Sequence, residues 1–293
     1  DHDIHALHIN DIRALLYLSP LLYINKINNV FNIRDVHEKS KPYGMVWKLI
    51  NLCNKILVLS EHMEYELASR LPINKKTKHK IEVTYSTVDF KRFQPINVHK
   101  KSILKEQKGF DNFNIHCLYI AAFNEKKNQL DFIEKALPLL KDNNIVIHFI
   151  GDFDDNNNPY VKKCLLALKA QHKNKVVFQG YQSEIESFYK IADLTLVPTR
   201  REGMARCMIE SLSSGVPVIS FDVSSAKEIL ENRDYPCGIV VEQGDYIGMI
   251  EQIKKLLADK NRYSTYSKNG IDLSRKLFDK EKVVKVYENA YLS

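Results

Sequence analysis

At 293 residues, 44% apolar and 27% charged, the chain has an ordinary globular composition and room for two domains. No run of about 18 apolar residues occurs, which excludes a spanning helix. Five scattered cysteines (Cys53, Cys117, Cys164, Cys207, Cys237) without a Cys-x-x-Cys pair exclude a disulfide scaffold and a cysteine zinc site, and argue for a reducing, cytoplasmic compartment.

The net charge of +7 is unevenly placed: residues 1–105 hold 17 basic against 10 acidic residues, and the remainder holds 26 of each. No aromatic–basic interleaving accompanies the surplus, so nucleic acid is not the expected partner. An anionic membrane surface, a phosphate-bearing molecule or a plain solvated loop around Lys75, Lys76, Lys78 and Lys80 fits it.

In chain order, the opening Asp1-His-Asp-Ile-His-Ala-Leu-His8 is acidic and His-rich, unlike a secretory leader. His2, His5 and His8 alternate faces on a strand and cannot converge on a metal. Strands are expected at Ile4–His8, Asn29–Val36, Ile56–Leu59 and Lys80–Thr84. The polar, aperiodic stretch Gln94–Asn112 reads as a linker. Further strands follow at Ile115–Ala121, Ile145–Ile150, Lys175–Phe178, Leu194–Val197, Val216–Phe221 and Gly238–Val241. Helices are expected at Gln129–Leu140, Tyr160–Gln171 and Gln182–Lys190. A terminal helix, Glu281–Leu292, would place Val283, Val284, Tyr287 and Tyr291 on one face. Strands alternating with amphipathic helices give an α/β fold of parallel sheets covered on both faces. The domains would be residues 1–105, residues 106–275, and a terminal helix over 276–293 that crosses back to the first.

The richest segment runs from Ala192 to Glu228 and reads as strand, loop, helix, tight turn, strand. Glu202 sits in the loop, and Glu210 lies about two helical turns on, with seven residues between them. Both acids can approach one bound molecule. A helix N-terminus after a parallel strand holds phosphates, while acids beside it accept hydrogen bonds from hydroxyls. Phosphate plus hydroxyls points to a nucleotide sugar. Asp152-Phe-Asp154-Asp155 is a literal Asp-x-Asp, but it precedes the turn-rich Asn156-Asn-Asn-Pro159 and reads as a surface loop. No metal site is expected.

The frame Pro198-Thr199, Glu202-Gly203-Met204, Glu210, Ser214-Gly215-Val216-Pro217 resembles the signature of retaining GT-B glycosyltransferases of family 4 (glycosyl transferases group 1). Ile56-Leu-Val-Leu-Ser60-Glu61 and Val83-Thr-Tyr-Ser-Thr-Val-Asp89 with Phe93 resemble further family landmarks. So does Lys127 in Asn124-Glu-Lys-Lys127-Asn-Gln. The resemblance implies two Rossmann-like domains facing across a cleft. It also implies transfer of a sugar from a nucleotide diphosphate sugar to a glycan, lipid or small-molecule acceptor, with retention and without metal. No cofactor is implied beyond that co-substrate.

By the resemblance, Glu210 would bind ribose. Glu202, with the backbone of Gly203, Met204 and Ala205, would bind the donor sugar, and Lys127 would bind the diphosphate. His37, in Arg34-Asp35-Val-His37-Glu38, would orient the sugar or relay charge; Asp35 and Glu38 lie beside it. His8, ending its strand, would line the cleft. Gly180-Tyr181 would lie under the base. The sequence departs from the family at three places. Ala122 stands where the family has an arginine, and Ser224-Ser225 before Glu228 replaces two glycines. The opening resembles the family's fourth strand, so the glycine-rich loop of the first domain is absent by this reading: the sequence is either a fragment of a longer product or an N-terminally truncated protein, whose missing segment a partner chain would supply. On that expectation the short chain alone does not complete a transfer. A non-catalytic sugar-nucleotide-binding subunit and a GT-B epimerase or hydrolase are the alternatives. The protein would be cytoplasmic or peripheral at the inner face of a membrane.

Overall fold

The structure is a computed structural model that describes residues 4–24, 27–34, 47–70, 75–140, 144–154 and 157–292. The chain divides into two compact units, Asp1–Thr87 with Leu277–Ser293, and Val88–Lys276. The sequence reading drew its boundaries after residues 105 and 275 instead.

The first unit holds a four-stranded sheet of order β1-β2-β3-β4. Its strands are β1 (Ala6–Ile9), β2 (Asn28–Ile33), β3 (Lys55–Val58) and β4 (Ile81–Val83), paired in parallel. The terminal helix Lys280–Leu292 packs on this sheet, with Ala290 buried against Val30 and Leu57. Asn28 donates to the Tyr291 carbonyl at 2.7 Å and Asn32 to the Tyr287 hydroxyl at 2.7 Å. Val283 is buried, but Val284 is 40% exposed. The packed stripe is therefore Val283, Val286, Tyr287, Ala290 and Tyr291, at helical spacings of three and four, and Val284 falls outside it. His8 is committed locally, to Asn10 at 2.8 Å and to the Tyr291 hydroxyl at 2.5 Å. The sequence reading did not assign the uncharged helical run within Ile12–Ile24; it buries Leu15 and Leu22 and leaves Leu16, Tyr17, Leu21, Tyr23 and Ile24 exposed.

The second unit is a six-stranded parallel sheet of order β10-β9-β8-β5-β6-β7. The strands are β5 (Ile115–Ile120), β6 (Ile145–Ile150), β7 (Val176–Gly180), β8 (Leu194–Val197), β9 (Val218–Phe221) and β10 (Gly238–Val241). Every residue of β6, β8 and β9 is buried, as expected where helices cover both faces of a parallel sheet. From β5 the chain builds toward β7, then returns through β8 to build toward β10. The order therefore reverses between β5 and β8, and in such sheets ligands bind outside the carboxyl ends of the strands at that reversal.

Two expectations are corrected here. The stretch read as a linker contains a helix, Val98–Gln107, whose first turn Asn97 caps by accepting from the Lys100 N–H at 2.8 Å. Its inner face is made largely of lysine stems, with Leu104 half-buried among them. Lys101 and Lys105 both reach Asp193, at 3.0 and 3.5 Å, and Lys105 is only 8% exposed. A face whose lysines reach inward to a half-buried carboxylate carries little hydrophobic period, so periodicity could not find it. The helix expected over Gln129–Leu140 is irregular: an α-turn at Gln129–Asp131, a wide π-turn at Phe132–Ala136, then a 3-10 turn at Leu137–Leu140. Pro138 is the cause, since it has no N–H to donate and its ring crowds the preceding turn.

The helix Arg206–Ser213 ends at Gly215, which takes the left-handed φ of +74°. Gly215 and Val216 donate back to the Leu212 and Ser211 carbonyls, each at 3.0 Å, closing the turn into β9.

Candidate functional site

Lys127 and Glu202 lie in the loops leaving β5 and β8, the two strands that flank the reversal of strand order. The structure brings them together: the Lys127 ammonium donates to Glu202 Oε1. The pair is half-buried, with 27% of the lysine and 12% of the glutamate side chain exposed.

Asn128 explains why the two loops meet. It takes a left-handed φ of +69°, which asparagine tolerates better than most residues, and it is 2% exposed. Its amide donates to the Pro198 carbonyl at 2.9 Å and to the Tyr246 hydroxyl at 2.8 Å, and its oxygen accepts from Arg200 Nε at 2.9 Å. The Arg200 N–H donates to the Lys126 carbonyl at 2.8 Å, and its guanidinium pairs with Asp131 at 3.0 Å. These contacts tie the β8 loop to the β5 loop across the switch point. Gly151, at the end of β6, also permits a close approach: a Cβ there would lie 2.1 Å from the Ala121 carbonyl oxygen.

Glu210 is reached from the helix side. It is 9% exposed, and burial raises its pKa against the pull of Arg206 and Tyr189. Tyr189, fully buried in the helix Ile185–Ile191, donates its hydroxyl to Glu210 Oε2 at 3.1 Å. Arg206 donates to Oε1 at 3.3 Å. Ala205 occupies the N-cap of the helix Arg206–Ser213 and offers no side-chain cap. The first N–H groups of this helix have no intrahelical acceptor and carry the positive end of the helix dipole. Gly203 lies between Glu202 and that turn, and its carbonyl accepts from the Ser224 hydroxyl at 2.6 Å. Met204 and Ala205 are buried. Thus one uncapped helix start, two acids and two cations share this end of the second sheet.

Ser224, in place of a glycine, still adopts a positive φ of +42° and uses its hydroxyl to anchor the Gly203 loop. Gly180 takes a φ of +68°, and Tyr181 beside it is 78% exposed. Ala122 is exposed, and its carbonyl accepts from Gln129 at 3.0 Å. Lys126 is exposed. Asp154 accepts from Asn157 within its own loop. His37, Asp35 and Glu38 lie outside the described residues, as do His2 and Asp155. Among the described residues, no group of three His, Cys, Asp or Glu side chains is placed to hold a metal ion.

Sequence reasoning missed Tyr189, Asn128 and Arg206. Arg206 had a signal, its spacing of four from Glu210 on one helix. Asn128 had a weaker one, an asparagine directly after the candidate lysine. Tyr189 had none, because its partner lies on another element.

Residues 100–273 match the family described as glycosyl transferases group 1. The chain belongs to that family. As a group 1 glycosyl transferase, it is 25% identical over 292 residues to the capsular polysaccharide biosynthesis glycosyltransferase CapM of Staphylococcus aureus, covering 97% of this chain and 73% of CapM. It is 24% identical to the N-acetyl-alpha-D-glucosaminyl L-malate synthase of Bacillus anthracis, covering 64% of this chain and 48% of that protein. In structure it resembles Anabaena Alr3699/HepE in complex with UDP and glucose, with a TM-score of 0.82 at 17% identity, covering 99% of this chain and 78% of that one. Sucrose-phosphate synthase from Thermosynechococcus elongatus gives a TM-score of 0.83, also at 17% identity, over 98% and 73%. The fold is therefore GT-B, built on two parallel α/β sheets. The matched stretch spans about half the length of the Bacillus synthase.

Proposed function

We propose that this chain supplies the donor site of an enzyme that transfers a sugar from a nucleoside diphosphate sugar to a glycan or lipid-linked acceptor, with retained anomeric configuration and without a metal. The observation that carries the reading is the meeting of Lys127 and Glu202 at the β5–β8 switch point, beside an uncapped helix that carries Glu210. Lys127 and the helix N–H groups would hold the diphosphate and stabilise the charge that grows on it as it leaves. Glu202, with the backbone of Gly203, Met204 and Ala205, would hold the donor sugar. Glu210, its carboxylate fixed by Tyr189, would accept from the ribose hydroxyls. The leaving phosphate would take the acceptor's proton on the face from which it departs. HepE was crystallised with UDP and glucose, which makes a UDP-sugar the first donor to try.

Neither a non-catalytic binding subunit nor an epimerase or hydrolase is favoured, because the family is one of glycosyl transferases and CapM is a glycosyltransferase. No helix among the described residues is long and apolar enough to cross a membrane. An anionic membrane surface or a partner chain is the proposed contact of the basic residues in the first unit.

The test is incubation of UDP-sugars and GDP-sugars with lipid-linked and free glycan acceptors, with and without chelator, and proton NMR of the product. We expect a retained linkage formed equally in chelator. An inverted linkage, or activity that chelator abolishes and manganese restores, would contradict the reading.

A further inference from the structure

Both acids of the proposed donor site already hold a cation. Lys127 sits on Glu202, and Arg206 sits on Glu210. The two partners of Glu210 are of different kinds. Tyr189 is fully buried on another helix and holds Oε2 in place. Arg206 holds Oε1 through a four-residue helical spacing, and 72% of its side chain is exposed against 11% for Glu210. An ion pair with one partner so exposed is weak and easily broken. Arg206 is also the first residue of the helix Arg206–Ser213, so its backbone belongs to the turn that carries the uncapped N–H groups, while its guanidinium rests one turn on at Glu210.

The charge count matches the ligand. Without a ligand, the two acids and two cations neutralise one another in pairs. A sugar nucleotide brings one negative charge on each phosphate, together with hydroxyls on the ribose and on the sugar. Guanidinium and ammonium groups prefer phosphate oxygens, and carboxylates accept from hydroxyls. Each of the four side chains thus has a better-matched partner on the donor than the one it holds now.

We propose that Arg206 is a second diphosphate-holding residue, parked on Glu210, and that donor binding is an exchange of partners. Arg206 and Lys127 pass from the two glutamates to the diphosphate, and Glu210 and Glu202 pass to the ribose and sugar hydroxyls. Glu210 changes only its exposed partner, since Tyr189 keeps the carboxylate oriented throughout. The inference rests on the donor-site reading above and adds to it a residue that the family signature does not supply.

Calorimetry with UDP and uridine, and with GDP and guanosine, tests it on the full chain and on Arg206→Ala and Arg206→Lys. The nucleoside has the ribose but no phosphates. We expect Arg206→Ala to weaken the diphosphate about tenfold while the nucleoside binds as well or better, because Glu210 Oε1 is released. Arg206→Lys should recover part of the lost diphosphate affinity. Because Arg206 is largely exposed, the variant should keep the thermal midpoint of the parent. Diphosphate affinity unchanged in Arg206→Ala, or diphosphate and nucleoside weakened by one common factor, would overturn the exchange and leave the donor site standing. A parent chain that binds neither diphosphate at several millimolar would overturn the donor site and the exchange together.

Discussion

Glu202 and Glu210 were legible in the sequence because a strand–loop–helix–turn–strand frame fixes where each acid stands. What holds them was not, since Lys127 and Tyr189 reach them from other elements. The two acids differ in burial, partner and expected effect. Glu210→Ala removes the acceptor proposed for ribose and leaves the Tyr189 hydroxyl only the Cys207 carbonyl at 3.2 Å. A lost hydrogen bond to a charged group costs about 1.5–3 kcal/mol, so nucleoside affinity should fall about tenfold or more. Glu202→Ala should weaken the sugar nucleotide more than the bare diphosphate, since its proposed contact is to the sugar. Calorimetry with uridine, UDP and a UDP-sugar separates the two; equal losses on all three ligands in both variants would contradict the division. Burial raises the Glu210 pKa above its ordinary value of 4.5. A protonated carboxyl is a poorer acceptor, so nucleoside affinity should begin to fall on acidification before pH 4.5 is reached.

Strands were the most legible elements, because buried parallel strands are short apolar runs between turn residues. Val98–Gln107 was hidden because Lys101 and Lys105 do its packing, and the Asn128 staple was hidden because its partners are main-chain carbonyls and distant side chains. Asn128→Ala should forfeit three buried hydrogen bonds and force alanine into a left-handed φ. A loss of about 3 kcal/mol in urea unfolding is expected. Donor affinity should fall as well, although Asn128 is assigned no ligand contact; unchanged affinity would show that the loops find each other without it. A second element-level device links β5, β6 and β7. Gln179 donates to His148 Nδ1 at 3.2 Å, His148 Nε2 meets His116 Nδ1 at 2.9 Å, and His116 Nε2 meets the Asp111 carbonyl at 2.9 Å. That carbonyl can only accept, so both rings fit a single direction of donation as neutral imidazoles. Phe110 stacks on His148 at 4.1 Å. Burial pushes His148 down to about 3, with His116 adding to the shift, and burial also lowers His116. Asp193 lies close by; burial opposes its ionisation, but Lys101, the His116 N–H and Lys105 outweigh burial and lower its pKa. For a histidine depressed on folding, the unfolded chain binds the extra proton. The stabilisation is therefore complete above the unfolded value of about 6.5 and is lost as pH falls from there toward 3. Between about pH 6.5 and 5.5 carboxylates of ordinary pKa stay more than about nine-tenths ionised, so this window reports mainly on the histidines. Stability should drop by about 1 kcal/mol or more per pH unit there. His148→Gln should flatten the slope; an unchanged slope would place the acid sensitivity elsewhere.

At the scale of the whole molecule, the charge pattern reads differently once the units are known. The excess of seven, concentrated before residue 106 in the sequence, divides between the units: 15 basic against 12 acidic residues in the first, and 28 against 24 in the second. Lys91, Arg92, Lys100, Lys101 and Lys105 belong to the second unit, where Arg92 pairs with Glu186 at 2.7 Å and Lys101 and Lys105 with Asp193. A basic docking face on the first unit is weaker than the sequence count implied. The second unit, by contrast, has what a domain needs to stand by itself. It holds six strands, a core running from Cys117 to Leu256, and the Val98–Gln107 helix latched onto it. Each residue assigned to the donor lies within it: Lys127, Glu202, Gly203, Met204, Ala205 and Glu210, with Arg206 added here. Residues 88–276 produced alone should therefore unfold cooperatively and bind a nucleoside diphosphate within about threefold of the full chain's affinity, a difference of under about 1 kcal/mol. Cutting after residue 105 instead should fail, because it removes the Lys101 and Lys105 contacts and leaves the Asp193 carboxylate without the cations that hold its pKa down. Urea unfolding and calorimetry on both pieces check this. If the piece starting at 106 folds and binds as well as the piece starting at 88, the latch helix is not part of the donor unit.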